Sequence, residues 1–79
     1  MKKVNIDTIE KTAFQIGWMH VAQGKAARVR AKIMAVLDIS TKQAFLNHLN
    51  GRVPHNEAEI QAIEAIFNEI GITEIWGKV

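Results

Sequence analysis

The chain has 79 residues, no cysteine and 48% apolar residues. This length fits one domain with a single small core, and the apolar content argues against intrinsic disorder. The lack of cysteine excludes disulfides and thiolate zinc sites. No apolar run approaches the roughly 18 residues that a membrane span needs, and no signal core follows the basic start. We therefore expect a cytoplasmic protein with no membrane partner.

The net charge of +2 is distributed unevenly along the chain. Residues 1–37 carry seven lysines or arginines and two acids, whereas residues 56–79 carry five glutamates and one lysine. A basic N-terminal part and an acidic C-terminal part can orient a protein on a polyanion such as DNA. The alternative is that the split reflects only solvated helix faces.

The first predicted helix spans residues 8–23. Asp7 and Glu10 have the spacing of a capping box, and apolar residues follow at helical intervals. Gly24 is the expected left-handed terminator. The segment FQIGWMHV also alternates like a strand, and its glycine weakens a helix interior.

The second predicted helix lies in the segment KAARVRAKIMAVLD and ends near its aspartate. The alanines of this segment favour a helix. Val29, Ile33, Val36 and Leu37 form its apolar stripe, and the lysines and arginines lie off that stripe.

The stretch TKQAFLNHLNGR predicts a short third helix that ends at its glycine. Ser40 or Thr41 would cap the start, and Phe45 and Leu49 would face the core. Only a few residues connect this helix to the second one. Two helices joined so tightly cross steeply, as in a helix-turn-helix.

A fourth helix is predicted after the turn RVPH. Asn56 and Glu59 form a second capping box, isoleucines and a phenylalanine form a wide apolar face, and Gly71 is the expected stop. The tail that follows is rich in apolar area, including Trp76. We expect this tail to dock on its own core or on a second subunit.

The chain from Lys25 to Gly71 resembles a helix-turn-helix domain of the Cro and lambda-repressor type, in which the recognition helix closes with a Leu-Asn-Gly like the LNG here. It is more closely similar to small phage- or mobile-element-like regulators of Bacteroides-type bacteria. The residues that carry this similarity are Gly24, Lys25, Val29, Arg30, Ile33, Met34, Leu37, Phe45, Leu49, Asn50, Gly51, Ile63, Glu64, Ile66, Phe67, Gly71, Ile72, Trp76 and Gly77.

The resemblance implies an all-α, four-helix, lambda-repressor-like fold in one domain over residues 1–79. Its parts are an N-terminal helix in residues 1–24, the helix-turn-helix in 25–51, a packing helix in 56–71 and a tail in 72–79.

Two positions depart from the repressor pattern. The turn position usually held by glycine falls on Ile39, and Asp38 would suit a tight turn better, so the turn is expected to be one residue longer. His48 stands where an apolar residue normally packs beneath the recognition helix. We expect His48 to be partly buried and hydrogen-bonded, and His55 to be a turn residue.

The implied function is sequence-specific binding of double-stranded DNA by a transcriptional regulator. Glutamine and asparagine can bond adenine, lysine can donate to guanine, and leucine can contact a thymine methyl group. The predicted base contacts are Lys42, Gln43, Leu46 and Asn47. The predicted phosphate contacts are Lys25, Arg28, Arg30, Lys32, Thr41 and Arg52.

Other readings of the sequence remain open. The outward residues of the third helix can be ordinary surface residues, and an exposed patch at Leu46 and Trp76 would instead favour a protein–protein interaction module. A homodimer through the apolar surface of Trp18 and Trp76 is a further expectation. The three histidines lack metal-ligand spacing, and no catalytic motif occurs. We therefore expect that the protein is not an enzyme and binds no metal or cofactor.

Overall fold

A computed structural model of the protein describes residues 11–79. Within that part, four α-helices follow one another: α1 (Gln15–Met19), α2 (Ala26–Leu37), α3 (Lys42–Leu49) and α4 (Glu57–Glu69). A turn of 3₁₀ helix at Gln23–Lys25 leads into α2. No strand occurs in the described residues, which show only two isolated bridges. The all-α, four-helix prediction is confirmed.

The core lies where all four helices and the tail meet. Its fully buried side chains are Phe14, Ile33, Ile63 and Phe67. The Phe14 ring lies 6.0 Å from the Phe45 ring and 6.2 Å from the Phe67 ring. Burying a side chain of this size stabilises a fold by about 1.5–3 kcal/mol, so Phe14 anchors the N-terminal segment firmly.

The three longer helices end in the same way. A residue with positive φ stands one or two positions after the last helical residue. A backbone N–H then donates to the carbonyl five residues earlier: Ile39 to Met34, Arg52 to Asn47 and Ile72 to Phe67. The positive-φ residues are Asp38, Gly51 and Gly71. The predicted stops at the two glycines and the predicted turn at Asp38 are therefore confirmed.

The predicted helix over residues 8–23 is wrong for most of its described part. Only Gln15–Met19 is helical, and residues 8–10, with the Asp7–Glu10 capping box, lie outside the described residues. The Phe14 N–H donates to the Leu49 carbonyl. This pairing uses backbone groups that a longer helix would need for itself.

The tail supplies the missing cap of α1. Phe14, at the N-cap, makes no side-chain cap bond. The Ile16 N–H instead donates to the Gly77 carbonyl at 3.3 Å, and the Gly17 N–H donates to the Ile75 carbonyl at 2.9 Å. These are donors of the first helical turn, which have no partner inside a helix. The expected docking of the tail on its own core is confirmed.

Two smaller predictions also need correction. Gly24 is not a left-handed terminator, because it lies in the 3₁₀ turn and has no positive φ. Helix α1 already ends five residues earlier, so no stop is needed there. Val36 belongs to the predicted apolar stripe of α2 but is 40% exposed, whereas Val29, Ile33 and Leu37 are buried.

Candidate nucleic-acid interface

Helix α3 is held at both ends by local structure. At its start, the Thr41 hydroxyl oxygen accepts a hydrogen bond from the Ala44 N–H at 3.1 Å. This satisfies one of the free donors of the first turn. Phe45 and Leu49 are buried, as predicted. The left-handed Asp38 (φ 57°, ψ 47°) shortens the link from α2, so α3 begins four residues later.

The exposed face of α3 is smaller than the sequence indicated. Lys42 and Gln43 are exposed, and Asn47 is half-buried. The Gln43 side-chain amide donates to the Asn47 side-chain oxygen at 3.2 Å. Leu46 was predicted to be exposed, and that is wrong: it is half-buried and packs against the core. Lys42 and Gln43 are therefore the two predicted base contacts that are exposed.

The candidate phosphate contacts differ in their surroundings. Lys25, Arg28 and Arg52 are exposed, and Arg30 is half-buried. The Lys32 ammonium lies 3.1 Å from a carboxylate oxygen of Glu69 on α4, so part of its charge is already compensated. This pair is exposed and contributes only about 0–1 kcal/mol to stability.

Positive charge on and beside α3 is not compensated within residues 11–79. The ion pairs there are Lys11 with Glu64 and Lys32 with Glu69, and neither Lys42 nor Arg52 pairs with a described carboxylate. No acidic residue lies in the first turn of α3, and the four N-terminal backbone N–H groups of a helix attract anions.

The C-terminal end of α3 is fixed by a contact that the sequence did not reveal. Asn50 pairs its backbone with Ala13 as an isolated bridge. Its side-chain oxygen accepts a hydrogen bond from the Gln15 amide at 2.6 Å. The N-terminal segment thus holds α3 from 35 residues away in sequence.

His48 and His55 form a buried pair beneath α3. His48 Nδ1 lies 2.9 Å from His55 Nε2, and the two rings are 4.9 Å apart with their planes at 32°. The predicted hydrogen bond of His48 is confirmed, and its side chain, expected to be partly buried, is 9% exposed. The description of His55 as only a turn residue is incomplete, because its side chain is 7% exposed.

Burial governs the acid–base behaviour of this pair. It lowers the pKa of His48, with the Glu59 carboxylate opposing this. Burial also lowers the pKa of His55, and the neighbouring His48 lowers it further; the Lys11 backbone and Glu59 oppose these effects. By distance and angle, His55 Nδ1 has no hydrogen-bond partner among the described residues.

The predicted tryptophan surface is largely occupied by the protein itself. Trp18 and Trp76 are half-buried and pack against the core. The Trp76 indole N–H donates to a Glu64 carboxylate oxygen at 2.8 Å. Met19, which is 59% exposed, is the neighbouring apolar side chain that remains accessible.

No group of three or more histidine, cysteine or acidic side chains within residues 11–79 is arranged to hold a metal ion. In the same range, no helix has the length and hydropathy that crossing a bilayer requires. An open groove of about 660 Å³ lies between residues 11–13 and 73–78, and its lining contains neither histidine nor cysteine.

Together the fold and these contacts define a small all-α domain with a short, end-anchored helix and a partly basic exposed face. Comparisons with protein-family models, with curated proteins and with solved structures found no match.

Proposed function

We propose that the chain binds double-stranded DNA by inserting α3 into the major groove, and that it acts in the cytoplasm as a transcriptional regulator of the phage or mobile-element type. It is proposed as a binding module and not as an enzyme. The resemblance to the Cro and lambda-repressor type motivates this proposal. The observation that carries it is the α3 surface: a short helix anchored at both ends, exposing Lys42 and Gln43, with no described carboxylate paired to Lys42 or Arg52.

The roles of the α3 residues follow from their exposure. Gln43 is the proposed direct reader of a base, because its amide can bond adenine bidentately. Asn47 holds that amide at 3.2 Å and supports its position in the free protein. Lys42 would donate to guanine or to a phosphate. Leu46 is the weakest of the predicted base contacts, because it is half-buried against the core.

The phosphate contacts would come from the exposed cations that flank α3. Arg52 comes after Asn50 and Gly51, just beyond the end of the helix. The Thr41 hydroxyl at the start of the helix can donate to an anion while its oxygen accepts from the Ala44 N–H. Lys25 lies just before α2 and Arg28 lies on it, and both extend the basic surface. Such contacts fix the register on the duplex and make the affinity salt-dependent.

Binding as a symmetric dimer to two half-sites completes the proposal. Helix-turn-helix proteins commonly place two recognition helices one DNA turn apart, about 34–36 Å. The apolar surface that remains accessible near Trp18 is Met19, so a dimer contact on that side would include Met19 and not rely on the packed Trp76 ring.

The test is a titration with mixed-sequence duplex DNA at increasing salt. The logarithm of the affinity should fall linearly with the logarithm of the salt concentration. Arg52→Ala should reduce the magnitude of the slope of that line by about 0.9, because this variant neutralises one phosphate fewer. The absence of binding at low salt would refute the proposal and leave a protein–protein interaction module as the remaining candidate.

The same assay on a selected binding sequence tests base readout. Gln43→Ala should reduce discrimination against one base pair by about 1–3 kcal/mol, which is roughly 5- to 150-fold. Gln61→Ala is the matched control, because Gln61 is also an exposed glutamine in a helix but lies on α4. Equal effects of the two substitutions would exclude a specific role for Gln43.

The interaction-module alternative loses its original basis. It depended on an exposed patch at Leu46 and Trp76, and both side chains are half-buried against the core of their own chain.

A further inference from the structure

The His48–His55 pair joins two elements that must keep their relative position if α3 is to present a fixed surface. His48 lies in the last turn of α3, and His55 directly precedes Asn56, the N-cap of α4. Their ring nitrogens are 2.9 Å apart, and the two side chains are 9% and 7% exposed. The bond therefore spans the link between α3 and α4 inside the protein.

This bond depends on the number of protons that the pair holds. A neutral imidazole has one N–H donor and one acceptor nitrogen, whereas a protonated ring has two donors and no acceptor. With both rings neutral, or with one protonated, one nitrogen still accepts. With both protonated, two N–H groups and two positive charges face each other at 2.9 Å, and the bond cannot form.

The surroundings of the pair give little compensation for a second charge. The Phe14 and Trp76 rings each lie 6.0 Å from the His55 ring. From α4, the Glu59 carboxylate acts on both histidines. From the N-terminal segment, Lys11 contributes its backbone, and its ammonium is paired at 3.3 Å with Glu64, which also accepts from Trp76.

We propose that the His48–His55 pair is a proton-sensitive latch, which holds the end of α3 against the start of α4 near neutral pH and opens in acid. The latch concerns the fold and stands without any ligand. Its extension to DNA rests on the proposed function: opening the latch would release α3 from its fixed position and weaken DNA binding in acid.

The sign of the pH effect follows from burial. In the unfolded chain the two histidines take up protons near the ordinary pKa of about 6.5, whereas burial lowers the pKa of both in the folded protein. The stabilisation from the pair is therefore complete above pH 6.5 and is lost as the pH falls below it. For each histidine that stays neutral in the fold, the unfolding constant rises by up to about tenfold per pH unit.

The experiment compares the wild type with the double variant His48→Asn plus His55→Gln. Asparagine places an amide near the Nδ1 position and glutamine places one near the Nε2 position, so the contact can persist without a titratable ring. His20→Gln is the control, because it removes one exposed histidine elsewhere in the chain. The unfolding constant is measured by urea denaturation between pH 7.5 and 5.0.

The wild type and the His20→Gln control should lose stability steeply below pH 6.5, and the double variant should do so much less. Equal pH dependence in all three proteins would overturn the proposal. If the double variant does not fold, ring-nitrogen NMR of the wild type decides. Both histidines should take up protons only below pH 6.5, because burial lowers the pKa of each, and joint titration at or above that pH would equally overturn the latch.

DNA affinity at pH 7.5 and 5.5 tests the extension. The wild type should lose more affinity in acid than the double variant. The same loss in both would overturn the coupling of the latch to α3. If neither protein binds DNA at either pH, the proposed function fails, and the unfolding and NMR measurements still decide the latch.

Discussion

Gly17 in α1 is the position where one added methyl group would most directly test how the tail is held. A Cβ atom there would lie 3.0 Å from the Ile75 Cα and 3.2 Å from its Cγ2. Favourable carbon contacts are about 3.5–4.0 Å, so the backbone of the tail would have to move by roughly 0.5–1 Å. The Gly17 N–H to Ile75 carbonyl bond, now 2.9 Å, would lengthen with it.

Two opposing effects set the magnitude for Gly17→Ala. Replacing glycine by alanine inside a helix favours folding by about 0.8–1.0 kcal/mol. Overpacking against buried, backbone-anchored atoms costs about 1–3 kcal/mol. Because the closest atom belongs to the backbone of Ile75, which is 3% exposed and cannot turn aside, we expect the cost to dominate. The net loss is about 1 kcal/mol, within these ranges.

Urea unfolding followed by tryptophan fluorescence measures this effect. With a slope of about 1–3 kcal/mol per molar urea, a loss of 1 kcal/mol lowers the midpoint by roughly 0.3–1 M. Gly24→Ala is the matched control: a Cβ there meets nothing within 4 Å and the residue has no positive φ, so this variant should gain about 0.4–1 kcal/mol. Stabilisation by both substitutions would refute the close contact between α1 and the tail.

Two further substitutions test the local signals at helix ends. Asn56→Ala removes the capping box with Glu59 and should lower the free energy of unfolding by about 0.5–2 kcal/mol in denaturant melts; an unchanged value would show that the cap is not needed. Asp38→Gly should raise stability by about 0.5–1 kcal/mol, since glycine adopts φ 57° without steric cost, while Asp38→Asn should change it little. A loss of stability in both Asp38 variants would instead show that the carboxylate stabilises the fold.

The helices that the sequence predicted well are those whose limits depend on neighbouring residues. Thr41 caps α3, Asn56 and Glu59 cap α4, and Gly51 and Gly71 end these helices as the sequence indicated. A cap requires only a side chain within three residues of the donor it satisfies, and a left-handed stop requires only one suitable residue. Such signals are visible in a short window of sequence.

The N-terminal segment was predicted poorly because its structure depends on distant backbone. The partners of α1 are carbonyls of Ile75 and Gly77, about 60 residues along the chain. Helical spacing of apolar residues cannot reveal that these groups will be available. The strand-like alternation around Phe14 was a partial signal, since Phe14 pairs with Gly77 in an isolated bridge.

In the candidate site, too, the features set by nearby residues were predicted and those set by distant contacts were not. Gln43 and Lys42 face outward as helical spacing predicted, because the burial of Phe45 and Leu49 fixes the rotation of α3. Leu46 lies at the edge of that face, and its burial depends on what packs beside the helix. One helix alone therefore could not decide whether Leu46 is exposed.

The position of α3 in the domain depends on residues that take no part in its exposed face. Its start follows the left-handed turn at Asp38, its last turn is bonded through His48 to the segment before α4, and Asn50 is held by Gln15. The two side-chain bonds are buried or part-buried, whereas the side-chain bond that Gln43 makes within residues 11–79 stays inside α3. Substitutions at Gln43 should therefore change what the helix binds without moving it. Substitutions that break the His48–His55 bond or the Asn50–Gln15 bond should move the helix without changing its exposed chemistry.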